Sequence, residues 1–329
     1  MRAAGLVVLI ALTVLVVCWQ SPPQGVLQLL FNRLYRAVPF AMFAWAAAVL
    51  ISCGIVDISA GALVSLLGMI VLFVANCGLS ASVQSGMVLA NIGIAMLLYL
   101  IAYYLIVNQG LNPLICTLAM GFCYRSTSKA IYSYVVKAEA ESIGLQTAGA
   151  SSPRMIATRD FPELLVDPRW VIAVAVIVLV SLVVWRYKTT AGLQHIAIGL
   201  NPVGARMAGV SEKRVYFVAF ATAGALIALG TSYMIVMVDG GWVPGYGMGI
   251  ELVAIAIAVL GGCSLNGGVF SPGEVALAAI LWSLLQYQAF RVDFVFPEAE
   301  HLIMGLLLLM IPIFQKVFLR IAGKPALRA

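Results

Sequence analysis

Residues 170–215 read WVIAVAVIVLVSLVVWRYKTTAGLQHIAIGLNPVGARMAGVSEKRV and contain the two kinds of segment that make up the whole chain. The first part, 170–185, is an uncharged apolar run with tryptophan at both ends, which is typical of a membrane span anchored at both interfaces. The second part, 185–215, holds five basic residues and one acidic residue, a net charge of +4. An apolar run followed by a charged interval indicates a helical membrane protein.

The composition of the full chain agrees with this interpretation. Its 329 residues are 63% hydrophobic and 10% charged, whereas soluble chains carry about 25% charged residues. The apolar runs are continuous rather than alternating, which makes a transmembrane β-barrel a poor alternative. The net charge of +6 comes from basic residues at the ends of apolar runs, a pattern of membrane topology and not of nucleic-acid binding. We therefore predict an all-α polytopic membrane protein.

About ten transmembrane helices are predicted, at 4–19, 37–53, 60–76, 87–107, 112–132, 170–185, 215–238, 250–262, 272–290 and 302–318. Residues 26–35 are predicted to form an amphipathic helix lying in the membrane interface. The chain 1–329 is then one membrane domain. Its parts are the first span with the interfacial helix (1–36), a first half (37–132), a periplasmic interval (133–169), the sixth span with a cytoplasmic loop (170–214), and a second half with a basic tail (215–329).

The distribution of lysine and arginine predicts the orientation. The interval 185–215 and the tail after 315 are basic, whereas 133–169 has a net charge of −1. Basic intervals stay in the cytoplasm, so both termini and the 185–215 loop are predicted to be cytoplasmic. Arg33 and Arg36 then fall outside, which is a weak objection.

The basic interval contains a short helix with its own start and stop signals. Asn201 suits the cap, Pro202 the first helical position, and Gly209 the left-handed residue after the end. Val203, Met207 and Val210 lie on one side of this helix, and Arg206 lies off that stripe. The pattern alone leaves two interpretations open, a connector on the lipid headgroups or a docking helix for a cytoplasmic partner.

Two glycine-rich interruptions, CGIVDISAG at 53–61 and GGCSLNGG at 261–268, separate apolar runs. We predict that both are tight turns on the cytoplasmic side, and that spans two to four and eight to ten form two related halves. Glycine-interrupted segments at matching positions in two halves indicate a transport pathway at their interface. Chance is the alternative, because glycine is common in membrane helices.

Several kinds of chemistry are absent from the sequence. It has no Walker A, GxSxG or HExxH motif, and its six cysteines are scattered without a CxxC pair, so no metal site is predicted. The acids Asp57, Glu251 and Glu274 are predicted to lie near the interfaces, which argues against an ion-coupled carrier with a buried mid-span acid. Energy must then come from elsewhere, as in one subunit of a multi-subunit pump.

Four stretches resemble the ribose-type monosaccharide permeases of bacterial ABC importers. These are VDISAGA at 56–62, GLNPLICTL at 110–118 with Tyr124 and Arg125 after it, GLNPVGARMAGV at 199–210, and ELVAIAIAVLGGCSLNGG at 251–268. The chain departs from the family pattern at Ile55, at 269–274, at Trp282 and at Gln286. These departures affect the expected substrate more than the expected architecture.

The resemblance implies a type II-like importer bundle in the bacterial inner membrane, with a second permease copy as homodimer or heterodimer. It also implies a separate ATP-binding subunit that holds ATP and magnesium, and a periplasmic solute-binding protein. The chain itself is expected to bind no cofactor and to be no enzyme. The expected solute is a monosaccharide. The alternatives are a branched-chain amino acid, a nucleoside or a signalling furanosyl sugar, and, from outside this class, an ion-coupled secondary carrier or a scaffold without transport.

Two groups of candidate site residues follow. The ATPase-coupling loop is assigned Asn201, Pro202, Ala205, Arg206, Met207 and Gly209, and the path or its gating turns are assigned Asp57, Ser59, Gly61, Asn112, Thr117, Gly261, Gly262, Ser264 and Asn266.

Most of these candidates have a structural alternative. Asp57 is expected either to bond backbone N–H groups of its own turn or to take part in gating. The polar residues Ser59, Asn112, Thr117 and Asn266 are expected to touch a polyol or to bond between helices. Arg125 is expected to be an outer-surface anchor or a contact to the binding protein, and His195 a solvated loop residue or a pH switch. Trp242 and Tyr246 are interfacial aromatics or a sugar-stacking pair.

Overall fold

The structure is a computed structural model that describes residues 2–20, 25–76, 81–142, 166–238, 242–291 and 305. All regular elements in these ranges are helices. They are α1 (Arg2–Gln20), α2 (Val26–Ile51), α3 (Ala60–Asn76), α4 (Ala81–Tyr103) with a π-helical turn (Tyr104–Asn108), α5 (Pro113–Ser142), α6 (Pro168–Lys188), α7 (Thr190–Leu200), α8 (Pro202–Met207), α9 (Glu212–Met237), α10 (Ile250–Leu260) and α11 (Pro272–Arg291).

Within the described residues, four helices are long and apolar enough to cross a membrane, namely Val26–Ile51, Leu89–Asn108, Pro168–Lys188 and Glu212–Met237. Shorter apolar helices lie at Ala4–Leu15, Ala60–Val71, Ile250–Leu260 and Pro272–Gln286. The all-helical membrane class is therefore confirmed. The count of ten spans and the two related halves stay predictions. Apart from Gly305, the predicted span 302–318 lies outside the described residues, as do the basic tail and most of the interval 133–169.

The centre of the bundle is α2, which packs against α9, α10 and α11. From Ala37 to Ile51 almost all of its side chains are buried, as expected for a helix that is apolar on all sides. Small residues bring its neighbours close. Gly230 of α9 lies against the ring of Phe43, and Gly224 lies against the backbone of Met96 on α4. Such close contacts are typical of helices packed in membranes.

The predicted interfacial helix at 26–35 is wrong, because these residues are the first turns of α2, which continues without a break through Pro39 to Ile51. The apolar pattern of 26–35 runs on into the buried part, and no glycine or capping signal ends the helix there. Proline removes one backbone N–H donor, but here it does not end the helix.

The predicted tight turn at 53–61 is shorter than expected. A turn covers residues 52–54, where Gly54 has φ +82°. Irregular backbone then leads through Asp57 to α3, which begins inside the bundle. Gly61, in the first turn of α3, lies against Gly247 and the carboxylate of Glu251 at the start of α10. At the other end of α10, the N–H of Gly268 donates to the carbonyl of Ser52 at 2.8 Å.

Helices α3 and α10 therefore start at the same depth. From there α10 runs back to the end of α2. Helix α3 runs the opposite way, and its Gly68 lies against Trp242. With 11 residues, α10 is about 16 Å long, which is half of the ~30 Å hydrocarbon core. Irregular backbone at such a depth is tolerated because it is buried in protein.

Candidate functional site

Helix α8 has the start and stop signals that the sequence predicts. The side-chain carbonyl of Asn201 accepts a hydrogen bond from the N–H of Gly204 at 3.0 Å, and Pro202 occupies the first turn. Gly209 follows the helix with φ +82°, the left-handed conformation that glycine adopts at little cost. The predicted helix and its caps are confirmed.

One side of α8 is an exposed apolar surface, formed by Val203 (56% exposed) and Met207 (86% exposed). Ala205 points the other way and is buried. Arg206 pairs with Glu212 of α9 at 2.8 Å, which ties the helix to the next element. Exposed apolar side chains beside charged ones form a surface that another protein can cover.

The rest of the interval 185–215 is not the solvated loop that the sequence suggests. His195 lies on α7 and is 1% exposed, and Arg186, at the end of α6, is 2% exposed. The Nε2 of His195 lies 2.7 Å from the Oγ of Ser52. Burial first, and the charge of Arg186 second, lower the pKa of His195 from 6.5 to about 3. His195 is therefore neutral, and its expected place in a solvated loop is wrong.

Asp57 is the centre of a buried polar cluster. Its Oδ1 accepts hydrogen bonds from the N–H and the hydroxyl of Ser59, both at 2.7 Å, and its Oδ2 accepts one from the hydroxyl of Tyr99 at 2.6 Å. The predicted Asx-turn is confirmed. Thr117 of α5 accepts a hydrogen bond from the N–H of Ile58 at 3.4 Å. Asp57 and Thr117 thus fix the irregular segment before α3 in place.

Glu251 and Arg125 form an ion pair at 2.9 Å beside this cluster. The side chain of Glu251 is 7% exposed and that of Arg125 is 39% exposed, so Arg125 reaches the surface while it pairs with a buried acid. Its roles as an outer-surface anchor or a contact to the binding protein stay predictions. Asp57 and Glu251 were expected near interfaces, but they lie buried on either side of Gly61. Both oxygens of Asp57 accept hydrogen bonds. Glu251 pairs with Arg125 through Oε1, whereas its buried Oε2 has no hydrogen-bond partner among the described residues. The argument against an ion-coupled carrier therefore rests on Asp57 and on the ion pair of Glu251.

The turn 261–268 has the close packing that its glycines permit. Gly261 lies against the backbone of Val275, so a side chain would not fit there. Gly262 has φ +83°. The hydroxyl of Ser264 accepts a hydrogen bond from the N–H of Asn266 at 3.3 Å, and Asn266 itself is exposed. The side chain of Ser264 thus shapes the turn, and Asn266 contributes its backbone N–H to it.

The remaining candidates lie apart from this turn. Asn112 caps α5 by accepting a hydrogen bond from the N–H of Leu114 at 2.9 Å, and it borders an apolar groove along that helix. Trp242 is 2% exposed, and its indole N–H donates to the carbonyl of Ser65 at 3.3 Å. Tyr246 stacks on Trp242 with ring centroids 5.2 Å apart. Both the interfacial and the sugar-stacking interpretations of Trp242 are therefore wrong.

Sequence reasoning missed three participants, Tyr99, Ser52 and the pairing of Arg125 with Glu251. A single tyrosine or serine in an apolar run carries no sequence signal of its partner. The ion pair had a usable signal, because an arginine and a glutamate in separate apolar runs are costly in a membrane unless they meet.

The chain is similar to a family of transport proteins and to several of its known members. The family model described as branched-chain amino acid transport system / permease component matches residues 29–312. The fructose import permease protein FruF of Bifidobacterium longum is 26% identical over 272 residues, 83% of this chain and 73% of that protein. The L-arabinose transport system permease protein AraH of Escherichia coli is 31% identical over 149 residues, 45% of this chain and 44% of that protein.

A third relative is the nucleoside ABC transporter permease protein NupB of Lactococcus lactis, which is 34% identical over 124 residues, 34% of this chain and 29% of that protein. No solved structure matches the chain. The family match covers most of the chain and includes both the α8 region and the Asp57–Glu251 cluster. This chain belongs to the branched-chain amino acid transport system / permease component family, and it is a membrane permease subunit of an ABC importer rather than an enzyme.

Proposed function

We propose that this chain carries a monosaccharide inward across the bacterial inner membrane, as the permease subunit of an ATP-driven importer. The observation that carries the proposal is α8, a capped helix of six residues with Val203 and Met207 exposed on one side. A helix this short has little stability of its own, so its exposed apolar side is suited to docking on a separate ATP-binding subunit. That subunit would hold ATP and magnesium, since this sequence has no Walker A motif.

The proposed assembly contains a second permease copy, as homodimer or heterodimer, and a periplasmic solute-binding protein. The bundle would have about ten spans in two related halves, with both termini and α8 in the cytoplasm. The irregular segment around Asp57 and the turn 261–268 would form moving parts of the path between the two copies. Sugar is favoured as the solute because the fructose and arabinose permeases are similar to this chain.

The docking role is tested by replacing Met207 with alanine in the complex reconstituted with its ATPase. The expected result is several-fold weaker binding of the ATPase, because one exposed apolar anchor is worth about 1–3 kcal/mol at the centre of an interface. Met248→Ala is the matched control, because Met248 is also strongly exposed (74%) but lies outside α8. Equal ATPase affinity for the two variants would contradict docking through α8.

Full coupling in a Gly209→Pro variant would also contradict the docking role. Proline cannot adopt φ +82°, so α8 would be reoriented while membrane insertion remains intact.

The substrate is tested by competition on the purified binding protein, with fructose, L-arabinose, a nucleoside and leucine as probes. Binding of a sugar, followed by ATP-dependent uptake into proteoliposomes, is the expected result. Preference for leucine or for the nucleoside would replace the sugar assignment and leave the importer class intact. Uptake driven by an ion gradient without the ATPase would contradict the class.

A further inference from the structure

A buried junction lies directly beside α8, and it joins four segments of the chain. We define the junction as Ser52 after α2, Arg186 at the end of α6, His195 on α7, and Gly268 and Phe270 after α10. Ser52, Arg186, His195 and Phe270 are each at most 2% exposed. Only Asn201 separates α7 from α8, so a movement of α8 reaches His195 within two helical turns.

Hydrogen bonds connect the members of the junction. His195 Nε2 lies 2.7 Å from Ser52 Oγ. The carbonyl of Ser52 accepts from the N–H of Gly268 at 2.8 Å. The guanidinium of Arg186 donates to the carbonyl of Gly268 at 2.7 Å. A continuous series of hydrogen bonds thus links α7 through Ser52 to the turn after α10, and that turn to α6.

Close packing makes the junction rigid. A side-chain carbon at Gly199 would clash with the carbonyl of Ser52 and the backbone of Gly268. The imidazole of His195 packs edge-on against Trp185, with centroids 5.0 Å apart, and the Arg186 guanidinium lies 4.4 Å from the centroid of Phe270. Interiors packed at this density transmit displacement rather than absorb it.

The hydrogen-bonding capacity of serine indicates which proton His195 carries. Ser52 Oγ also lies 2.9 Å from the carbonyl of Val49, and a serine hydroxyl has one proton to donate. One arrangement satisfies both contacts, in which Ser52 donates to Val49 and the Nε2–H of His195 donates to Ser52. Glutamine can make the same donation from its amide, whereas leucine cannot.

We infer that His195 is a positioning residue that transmits the movement of α8 to both glycine-rich segments of the path. Ser52 is the point of transfer, because it begins the segment that carries Asp57 and also holds the turn at Gly268. This inference rests on the proposed function, in which α8 docks on the ATPase. It adds a route by which docking reaches the interior.

The test uses the full complex in proteoliposomes with His195→Leu, His195→Gln and the control Leu193→Ala, an exposed residue of the same helix. Sugar transported per ATP hydrolysed, ATPase binding and basal ATP hydrolysis are measured for each. His195→Leu is expected to bind the ATPase and hydrolyse ATP, with transport per ATP lowered about tenfold, the factor for one lost buried hydrogen bond. For His195→Gln, sugar transported per ATP is expected to stay within about threefold of the value for the unmodified chain, because the glutamine amide still donates to Ser52.

Ser52→Ala replaces His195→Leu in the test if the leucine variant does not accumulate. It removes the hydroxyl that bonds His195, with little loss of side-chain volume. Normal transport per ATP in His195→Leu, or in Ser52→Ala where the leucine variant is not obtained, overturns the inference. Equal losses in the glutamine and leucine variants overturn it as well, because they would reflect packing alone. Failure of the unmodified chain to bind the ATPase would instead contradict the proposed function.

Discussion

At the residue scale, the pair of Arg125 and Glu251 is asymmetric. Glu251 is almost fully buried, and Arg125 keeps 39% of its side chain exposed. A charge left in a buried site without its partner is more costly than one that water can reach. Removing Arg125 should therefore destabilise the fold more than removing the charge of Glu251.

We expect Arg125→Met to lower the free energy of unfolding by about 1–3 kcal/mol, because it leaves a buried acceptor unpaired. Glu251→Gln should cost less, since the freed arginine can be solvated. Thermal unfolding in detergent measures both variants, and the double variant gives the coupling energy. A glutamine variant at least as unstable as the methionine variant would refute the asymmetry.

The buried histidine predicts a pH dependence of stability. The folded pKa of His195 is about 3 against an ordinary 6.5, because burial, and then the charge of Arg186, disfavour the imidazolium. Arg186 and Cys53 are the titratable groups described around the ring, and the Sγ of Cys53 lies 3.4 Å from the Nε2 of His195. Below pH 6.5 the unfolded chain takes up a proton that the folded chain does not, and stability falls.

The melting temperature of the unmodified chain should therefore fall between pH 7.5 and 5 relative to that of His195→Gln, which lacks this titration. Calorimetry or a fluorescence melt at several pH values measures the difference. If the difference in melting temperature between the unmodified chain and His195→Gln does not change with pH, the lowered pKa of His195 is contradicted.

At the element scale, the meeting of α3 and α10 depends on backbone contact. Gly61 has no room for a side-chain carbon, because Gly247 and the carboxylate of Glu251 occupy that space. Gly93 on α4 has nothing within 4 Å of the same position. The two glycines therefore form a matched pair for measuring what the close approach contributes.

Gly61→Ala is expected to lower the free energy of unfolding by about 1–3 kcal/mol, as overpacking does in tight interiors. Gly93→Ala should be neutral or slightly stabilising, because alanine favours helix by up to about 1 kcal/mol. Thermal unfolding in the same detergent compares them. If both substitutions have the same effect, the contact between α3 and α10 is looser than the structure has it.

At the scale of the whole molecule, the proposed topology places α8 in the cytoplasm and the interval 133–169 outside. Single cysteines introduced at Ala208 and Ser151 in a cysteine-free chain test this placement with a membrane-impermeant maleimide. Labelling of the Ser151 position in intact cells, and of the Ala208 position only after permeabilisation, is expected from the basic charge of 185–215. The reverse pattern would invert the orientation and remove the docking proposal.

Much of the site could be predicted from the sequence, because its signals are local. Asn201, Pro202 and Gly209 mark a helix by near-neighbour hydrogen bonding and φ preference, and Asp57 forms its turn with a residue two positions on. Continuous apolar runs determine the membrane class, because a polar backbone can cross a bilayer only when its hydrogen bonds are made internally.

Tertiary structure alone decided which polar groups meet. Ser52 bonds His195 across 143 positions, and Arg125 bonds Glu251 across 126. Hydrophobic period and helix propensity describe each helix separately, so they cannot report a contact over such a separation. The burial of His195 and Arg186 and the interior meeting of α3 with α10 therefore appear only once the helices are packed, because only packing determines which charges lose their water.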